Sequence, residues 1–200
     1  MAKRMSSEER REQAAEAALK LAENGLSAVT LTGVAEEMGV VPSALYRHFG
    51  SKEDLVFAVL AHMRKLIEGN VATALAGATD PLDALRRLAK AQGEMLHARP
   101  GILSLMFSEE ITRSAPQYRE GVENTSGRFR QMVRDIIEKG QAAGVIRSDA
   151  TSNDLMFAFL GTILPPIFLS HLTGGELDFR IQIERNWRLF MESAKAGDAA

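Results

Sequence analysis

The sequence predicts an all-α protein of about nine helices, and three observations carry that prediction. Ala, Leu, Glu, Arg and Met recur along the chain, and these are good helix formers. Aromatic residues make up only 6 % of the 200 positions. No stretch longer than about four residues alternates apolar and polar side chains as a half-buried strand would. Apolar residues instead recur at three- and four-residue spacing, between stops made of Gly and Pro.

Ser6 or Ser7 caps a first helix, with Glu8 and Glu9 well placed against the positive end of its dipole. It runs to about Glu23, with Ala14, Ala18 and Leu21 along its apolar face, and Asn24-Gly25 stops it. Thr30 opens a short second helix that Gly39 stops after Met38. Pro42 has no N–H to satisfy in a first turn and starts a third helix, PSALYRHF, ending at Gly50. Ser51, with Asp54 three residues on, caps a fourth bearing Leu55, Val59, Met63, Leu66 and Ile67 on one side. Asp80-Pro81 starts a fifth carrying Leu82, Leu85, Leu88, Met95 and Leu96, which Pro100-Gly101 ends. ILSLMFSEEI forms a short sixth. Pro116 precedes a long seventh with Phe129, Met132, Val133, Ile136 and Ile137, closed by Gly140 and Gly144. The eighth starts near Thr151. Gly174-Gly175 separates it from a ninth whose stripe is Phe179, Ile183, Trp187, Phe190, Met191 and Ala194. Short helices with tight turns give way to long ones near residue 50, so two domains are expected, 1–53 and 54–200.

Composition removes several functions. A hydrophobic fraction of 46 % and a charged fraction of 25 % describe a globular chain. Without cysteine there is no disulfide scaffold, thiolate metal site or cysteine nucleophile. His62, His97 and His171 are scattered with no i, i+4 pair, so neither a metal nor a cofactor is expected. No Gly-rich phosphate loop, nucleophile elbow or grouped carboxylates with a base are present, which argues against an enzyme. Glu109-Glu110 reads as a solvated or capping pair. The N-terminus places charge where a signal peptide needs an apolar stretch, so a cytoplasmic protein is expected. From Leu155 to Gly175, 21 residues carry no formal charge. That is long enough to span a bilayer. Pro165 and Pro166 inside it, and Ser170, His171 and Thr173 after it, point instead to a buried or subunit-interface helix, with no membrane partner.

One motif is sharp. In LTGVAEEMGVVPSALYRHF, Leu31 to Phe49, a small residue (Ala35) sits where two short helices must cross. Gly39 supplies the turn, and Val34, Met38, Val40 and Leu45 close the crossing. These are the requirements of a helix-turn-helix. With Leu45 and Phe49 inward, the third helix turns Pro42, Ser43, Ala44, Tyr46, Arg47 and His48 outward. Small residues at its start suit close approach to base edges, and Tyr46, Arg47 and His48 can reach phosphates. Lys52 adds a cation at the next helix N-terminus.

The segment Glu23 to Leu60 closely resembles the DNA-binding domain of the TetR family of transcriptional repressors. Thr30, Val34-Ala35 followed by two Glu, Gly39-Val40, LYRHF and SKEDL carry the likeness. The resemblance covers about the first 60 residues; beyond them only the all-helical architecture matches. It implies a homodimer whose third helix reads the major groove and whose last two helices pair in a four-helix bundle. It also implies a small ligand, bound in the larger domain, that releases the DNA. Carried over by position, Thr30 and Thr32 contact phosphate or a base edge, Pro42, Ser43 and Ala44 face bases, Tyr46, His48 and Lys52 contact phosphates, and Arg47 does either. Val41 stands where a polar cap is common. Pro42 and Ala44 leave few hydrogen bonds to bases, so specificity leans on thymine methyls and DNA shape.

In the larger domain, Met and Phe cluster in the manner of an adaptable pocket wall, and His62, Met63, Met95, Phe107, Phe129 and Met132 are its candidates. A helix apolar all round needs cover on every side, so Phe159, Ile163 and Ile167 of the eighth helix, with Ile183, Trp187 and Phe190 of the ninth, are the expected dimer interface. The leading function is a repressor that binds palindromic operator DNA as a homodimer and is released by a small, mainly apolar ligand. The alternative is a DNA-binding regulator controlled by a partner, with no inducer.

The charge balance runs against DNA at first sight, with a net charge of −2. Residues 1–54 hold seven Lys and Arg against nine Asp and Glu. Placement decides the matter. Glu12, Glu16, Glu23, Glu36 and Glu37 fall on the first two helices, whereas Lys3, Arg4, Arg10, Arg11, Arg47 and Lys52 fall on the N-terminal arm and the reading side. So few cations imply weak, salt-sensitive binding to random DNA.

Overall fold

The computed structural model describes residues 6–109, 111 and 116–196. Among them it forms nine α-helices and no β-strand: α1 (Ser7–Leu21), α2 (Leu31–Glu37), α3 (Pro42–Leu45), α4 (Lys52–Ala76), α5 (Pro81–Ala98), α6 (Pro100–Met106), α7 (Pro116–Ala142), α8 (Ser152–Leu172) and α9 (Phe179–Ala194). The all-α expectation holds. Three helices are shorter than their sequence suggested. α1 gives way at Ala22 to a 3-10 turn, α3 has four residues rather than eight, and α6 stops at Met106. Lys3, Arg4 and Glu110 lie outside the described residues.

The chain divides into two compact units, Met1–Leu66 with Arg99–Ser126, and Ile67–Ala98 with Gly127–Ala200. The first is built around α1. A capping box starts that helix: the Glu9 amide donates to Ser6 Oγ at 3.1 Å, and the Ser6 amide donates to Glu9 Oε2 at 2.7 Å. Its buried face is mostly alanine, Ala14, Ala15, Ala17 and Ala18, and so is thin. That lets α6 come close, with Gly101 against the α1 backbone at Leu19. Glu16 ties the junction together. It accepts from Arg99 Nε at 2.8 Å and from His62 Nε2 at 2.9 Å. Burial alone would raise the Glu16 pKa, but these two partners outweigh it and hold the carboxyl below its ordinary value.

In the second unit, α8 and α9 pack on each other and both pack on α5. Asp80 caps α5 by accepting from the Asp83 amide at 2.9 Å. Gly93 admits the Ile183 side chain, whose Cδ1 would lie 2.5 Å from an added Cβ. Pro165 and Pro166 both sit inside α8, which continues through them. They withdraw two helix donors and so release the carbonyls of Gly161 and Thr162. The α9 stripe goes inward as expected for Phe179, Ile183, Trp187, Phe190 and Ala194, while Met191 is exposed.

A three-ring stack closes one corner of this unit. The His97 ring, in the last turn of α5, lies 4.2 Å from Phe179 and 5.4 Å from His171. Its Nδ1 is buried with no hydrogen-bond partner. Burial, then the nearby His171 and Arg180, push its pKa below the ordinary 6.5. The folded state therefore prefers neutral His97, and the unfolded chain takes up the proton first as pH falls. Stability from this group is full above the ordinary histidine pKa and declines as pH drops below it. Urea midpoints measured from pH 7.5 to 5.5, on the order of one unit either side of that value, will fall for the parent and fall less for His97→Phe. Parallel curves would refute this reading.

Candidate nucleic-acid interface

The helix-turn-helix is assembled locally. Thr30 is extended and its Oγ1 accepts the Gly33 amide at 3.0 Å, capping α2. Gly39 adopts φ +66°, the left-handed turn that ends α2, while the Val40 amide returns to the Ala35 carbonyl at 2.9 Å. Val41 then leads into Pro42 with no side-chain cap, as the sequence foretold. After Leu45 the chain continues as hydrogen-bonded turns, with the His48 and Phe49 amides both donating to the Leu45 carbonyl. Val34, Ala35, Leu45 and Phe49 are buried, which fixes the crossing. Met38 and Val40, expected to close it too, are half-buried.

That arrangement turns the expected reading residues outward. Thr30, Thr32, Pro42, Ser43 and Arg47 are exposed and Tyr46 is 58 % exposed; Ala44, His48 and Lys52 are half-buried. Arg47 and Lys52 make no ion pair or side-chain hydrogen bond among the described residues, so both cations are available. His48 is less free, since its Nδ1 lies 3.0 Å from Ser7 Oγ of α1.

Arg11 has a role that sequence reasoning missed. From sequence it falls among the cations of the N-terminal arm and the reading side. In the structure its guanidinium lies over the Phe49 ring at 4.5 Å, donates to the His48 carbonyl, and pairs with Asp54 Oδ1 at 2.7 Å. Asp54 also accepts the Gly50 amide at 3.2 Å. Arg11, then the Gly50 amide, holds the Asp54 carboxyl below its ordinary value. Arg11 thus pins the end of the reading segment to α1 and the start of α4. The two charged partners lie 43 residues apart in the chain. No local pattern joins them. Arg10 reaches only its own helix, donating to Gln13 at 3.5 Å.

The other expected sites divide. His62, Met63 and Phe107 belong to the first unit, and Met95, Phe129 and Met132 to the second. Met63, Met95 and Phe129 are buried, and Met132 is half-buried. His62 donates Nε2–H to the Glu16 carboxylate, which only accepts, and its Nδ1 is buried with no hydrogen-bond partner. Phe107 needs correcting: at 68 % exposure its ring lies on the surface rather than on an inner wall. The expected interface set also needs correcting. Phe159, Ile163, Ile167, Ile183, Trp187 and Phe190 are at most 6 % exposed and fill the core of the second unit. Outward on α8 stand Phe157, at 59 % exposure, Phe168, at 56 %, and Leu172, with Leu189 exposed on α9. Phe157, Gly161, Phe168 and Leu172 fall on one face at helical spacing. By length and composition α8 would cross a membrane, but its other face is packed against α9 and α5.

Comparison with known proteins bears on this geometry. Residues 15–59 match the model for bacterial regulatory proteins of the tetR family, and residues 81–172 match a tetracyclin repressor-like C-terminal domain. The HTH-type transcriptional repressor KstR2 of Mycolicibacterium smegmatis is 33 % identical over 146 residues, 72 % of this chain and 70 % of that protein. The ketosteroid transcriptional regulator KstR2 of Mycobacterium tuberculosis has a similar structure, with a TM-score of 0.71 at 23 % identity, covering 94 % of this chain and 96 % of that one. FadR of Bacillus subtilis, solved in complex with stearoyl-CoA, gives a TM-score of 0.74 at 18 % identity, covering 90 % of this chain and 97 % of that one. All three are regulators rather than enzymes.

Proposed function

As a member of the TetR family of bacterial regulatory proteins, this chain is a DNA-binding transcriptional regulator, and we propose that it represses transcription as a homodimer on a palindromic operator. The observation that carries the reading is the outward face of α3 and its flanks. Pro42, Ser43 and Ala44 face bases, Thr30 and Thr32 contact phosphate or a base edge, and Tyr46, Arg47, His48 and Lys52 hold the backbone. A dimer of this kind places two heads on half-sites spaced by the DNA repeat. The outward apolar stripe of α8, with Leu189, is the surface through which the subunits pair; a stripe of large exposed apolar side chains marks an interaction site. The protein acts in the cytoplasm and is released by a small, mainly apolar effector bound in the larger domain, to which the buried Met95 and Phe129 contribute.

Selection of bound genomic fragments, followed by gel shifts on the enriched site, tests the DNA reading. Lys52→Ala will weaken binding alike on specific and random DNA and lower the salt-dependence slope by about 1, as loss of one phosphate contact does. Tyr46→Phe will cost about 1 kcal/mol, one hydrogen bond's net worth. If both variants match the parent at every salt concentration, these contacts are misassigned. Stearoyl-CoA, the ligand of the FadR complex, is a first effector probe. Raised thermal stability together with lost operator binding supports an inducer of that class. A wider apolar ligand panel without effect on either readout favours control by a partner protein.

A further inference from the structure

The reading segment exposes an apolar side chain next to its polar ones. Among the described residues from Ser6 to Lys52, Val41 and Tyr46 are the exposed large apolar side chains, with Val41 at 64 % exposure. The other large apolar side chains of that stretch are buried or half-buried. Tyr46 carries a hydroxyl that can meet a phosphate, whereas the Val41 side chain has no polar atom. Val41 occupies the N-cap of α3, where valine is among the poorest residues because it cannot accept an amide of the first turn. No side chain caps α3, and Pro42 follows directly at its start. An uncapped helix start and an exposed branched apolar side chain break two local rules at one position, and such breaks fall where function needs them.

This apolar edge is also stiff. Val41 is extended, at φ −70° and ψ 140°, and its carbonyl accepts the Ala44 amide at 2.9 Å. Valine has few χ1 rotamers and proline fixes its own backbone, so little freedom is lost when a surface closes on the pair. Pro42 is exposed beside Val41, and Ala44 is half-buried one turn on. Recognition helices of this motif enter the major groove with their N-terminal residues on base edges. Chemistry limits what such an edge can read there. Adenine, guanine and cytosine present hydrogen-bonding atoms, and covering those with valine strips water without replacing its hydrogen bonds. The C5-methyl of thymine is the one apolar group that the groove offers.

We propose that Val41, backed by Pro42, is a specificity-determining residue that covers a pyrimidine C5-methyl group in each operator half-site. The inference rests on the repressor reading and adds to it a residue and the group it reads. The methyl sits on the same ring carbon in thymine and in 5-methylcytosine. A cytosine methylated at that step therefore offers Val41 the same contact, and an unmethylated cytosine does not. DNA binding thus responds to C5 methylation wherever a cytosine occupies the step. Burying one methyl is worth about fourfold in affinity, and a homodimer makes the contact twice.

The full-length protein is titrated by gel shift against the site enriched by fragment selection, with deoxyuridine replacing thymine at one symmetric pair of positions at a time. A loss of about fifteenfold is expected at one pair, where two methyls disappear. With cytosine at that pair, C5 methylation raises affinity by about fifteenfold. Val41→Ser loses both responses and keeps the parent's sensitivity at every other pair. The same substitution returns a cap to α3, so its urea midpoint rises and its weaker binding does not come from a damaged fold. Val41→Thr, which keeps a methyl on the same carbon, retains more of the discrimination than serine does. The proposal is overturned if no thymine pair is sensitive to uracil, or if Val41→Ser leaves the uracil and C5-methyl responses as in the parent. In either case the parent's specific binding has been measured, so the repressor reading stands; the absence of any enriched site removes both.

Discussion

Replacing Phe157 and Phe168 together by glutamate will convert the protein to a monomer and remove operator binding at concentrations where the parent is saturated. Both rings are more than half exposed within the subunit, so the substitution leaves the packed face of α8 intact. Phe159, Ile163 and Ile167, the residues that hold α8 in its own subunit, are untouched. In a two-fold interface each substitution appears twice, so four carboxylates meet in a surface that closure would dry. Burying unpaired charge of that kind costs several kcal/mol, and the lost aromatic burial adds about 1.5–3 kcal/mol per ring. Operator affinity collapses with the dimer, because two linked heads gain on the order of 10²–10⁴ from effective concentration that a lone head forfeits. Light scattering after size exclusion reads the first effect and a gel shift the second. An intact dimer, or a folded monomer that binds operator as the parent does, sinks the proposed interface.

The choice of those two residues shows what the sequence carries. The stripe on α9 was legible because Arg, Glu and Gln alternate with it, so its inward side is set by contrast. On α8 that contrast is missing. Phe159, Ile163 and Ile167 lie at four-residue spacing, but so do Phe157, Gly161 and Pro165, and nothing polar marks which row faces water. Only the packing of α5 and α9 decides it, and it buries the Phe159, Ile163 and Ile167 row inside the subunit. The caps and turn of the helix-turn-helix are legible, since Thr30, Gly39, Pro42 and Ser51 act on their own backbone within a few residues. Its clamp is not. Arg11 and Asp54 form their pair through the fold, and an arginine on a basic N-terminal arm reads as a DNA contact until its partner is seen. The sequence overstates the length of α3 because PSALYRHF contains no stop before Gly50, whereas the chain passes from helix into hydrogen-bonded turns after Leu45.

Gly101→Ala is expected to be the most destabilising single-methyl change in the first unit. Gly101 is buried at the start of α6, and an added Cβ would overlap the carbonyl oxygen of Leu19 and lie 3.2 Å from the Ala22 Cβ. The obstacle is backbone, so no rotamer change relieves it; α6 must move off α1. Overpacking of this kind costs about 1–3 kcal/mol, and more where backbone must shift. The displacement also strains Arg99, one residue before α6, whose guanidinium holds Glu16 of α1. Loss of operator affinity beyond the loss of folded protein is therefore expected, because α1 carries the Arg11 clamp on the reading segment. Gly69→Ala is the control. It lies inside α4 with no heavy atom within 4 Å of an added Cβ. There the methyl removes only the flexibility penalty of glycine in a helix, and stability should rise by about 0.5–1 kcal/mol. Urea unfolding of the two variants beside the parent will thus give midpoint shifts of opposite sign. A Gly101→Ala protein as stable as the parent would mean that α6 is not seated on α1 as described.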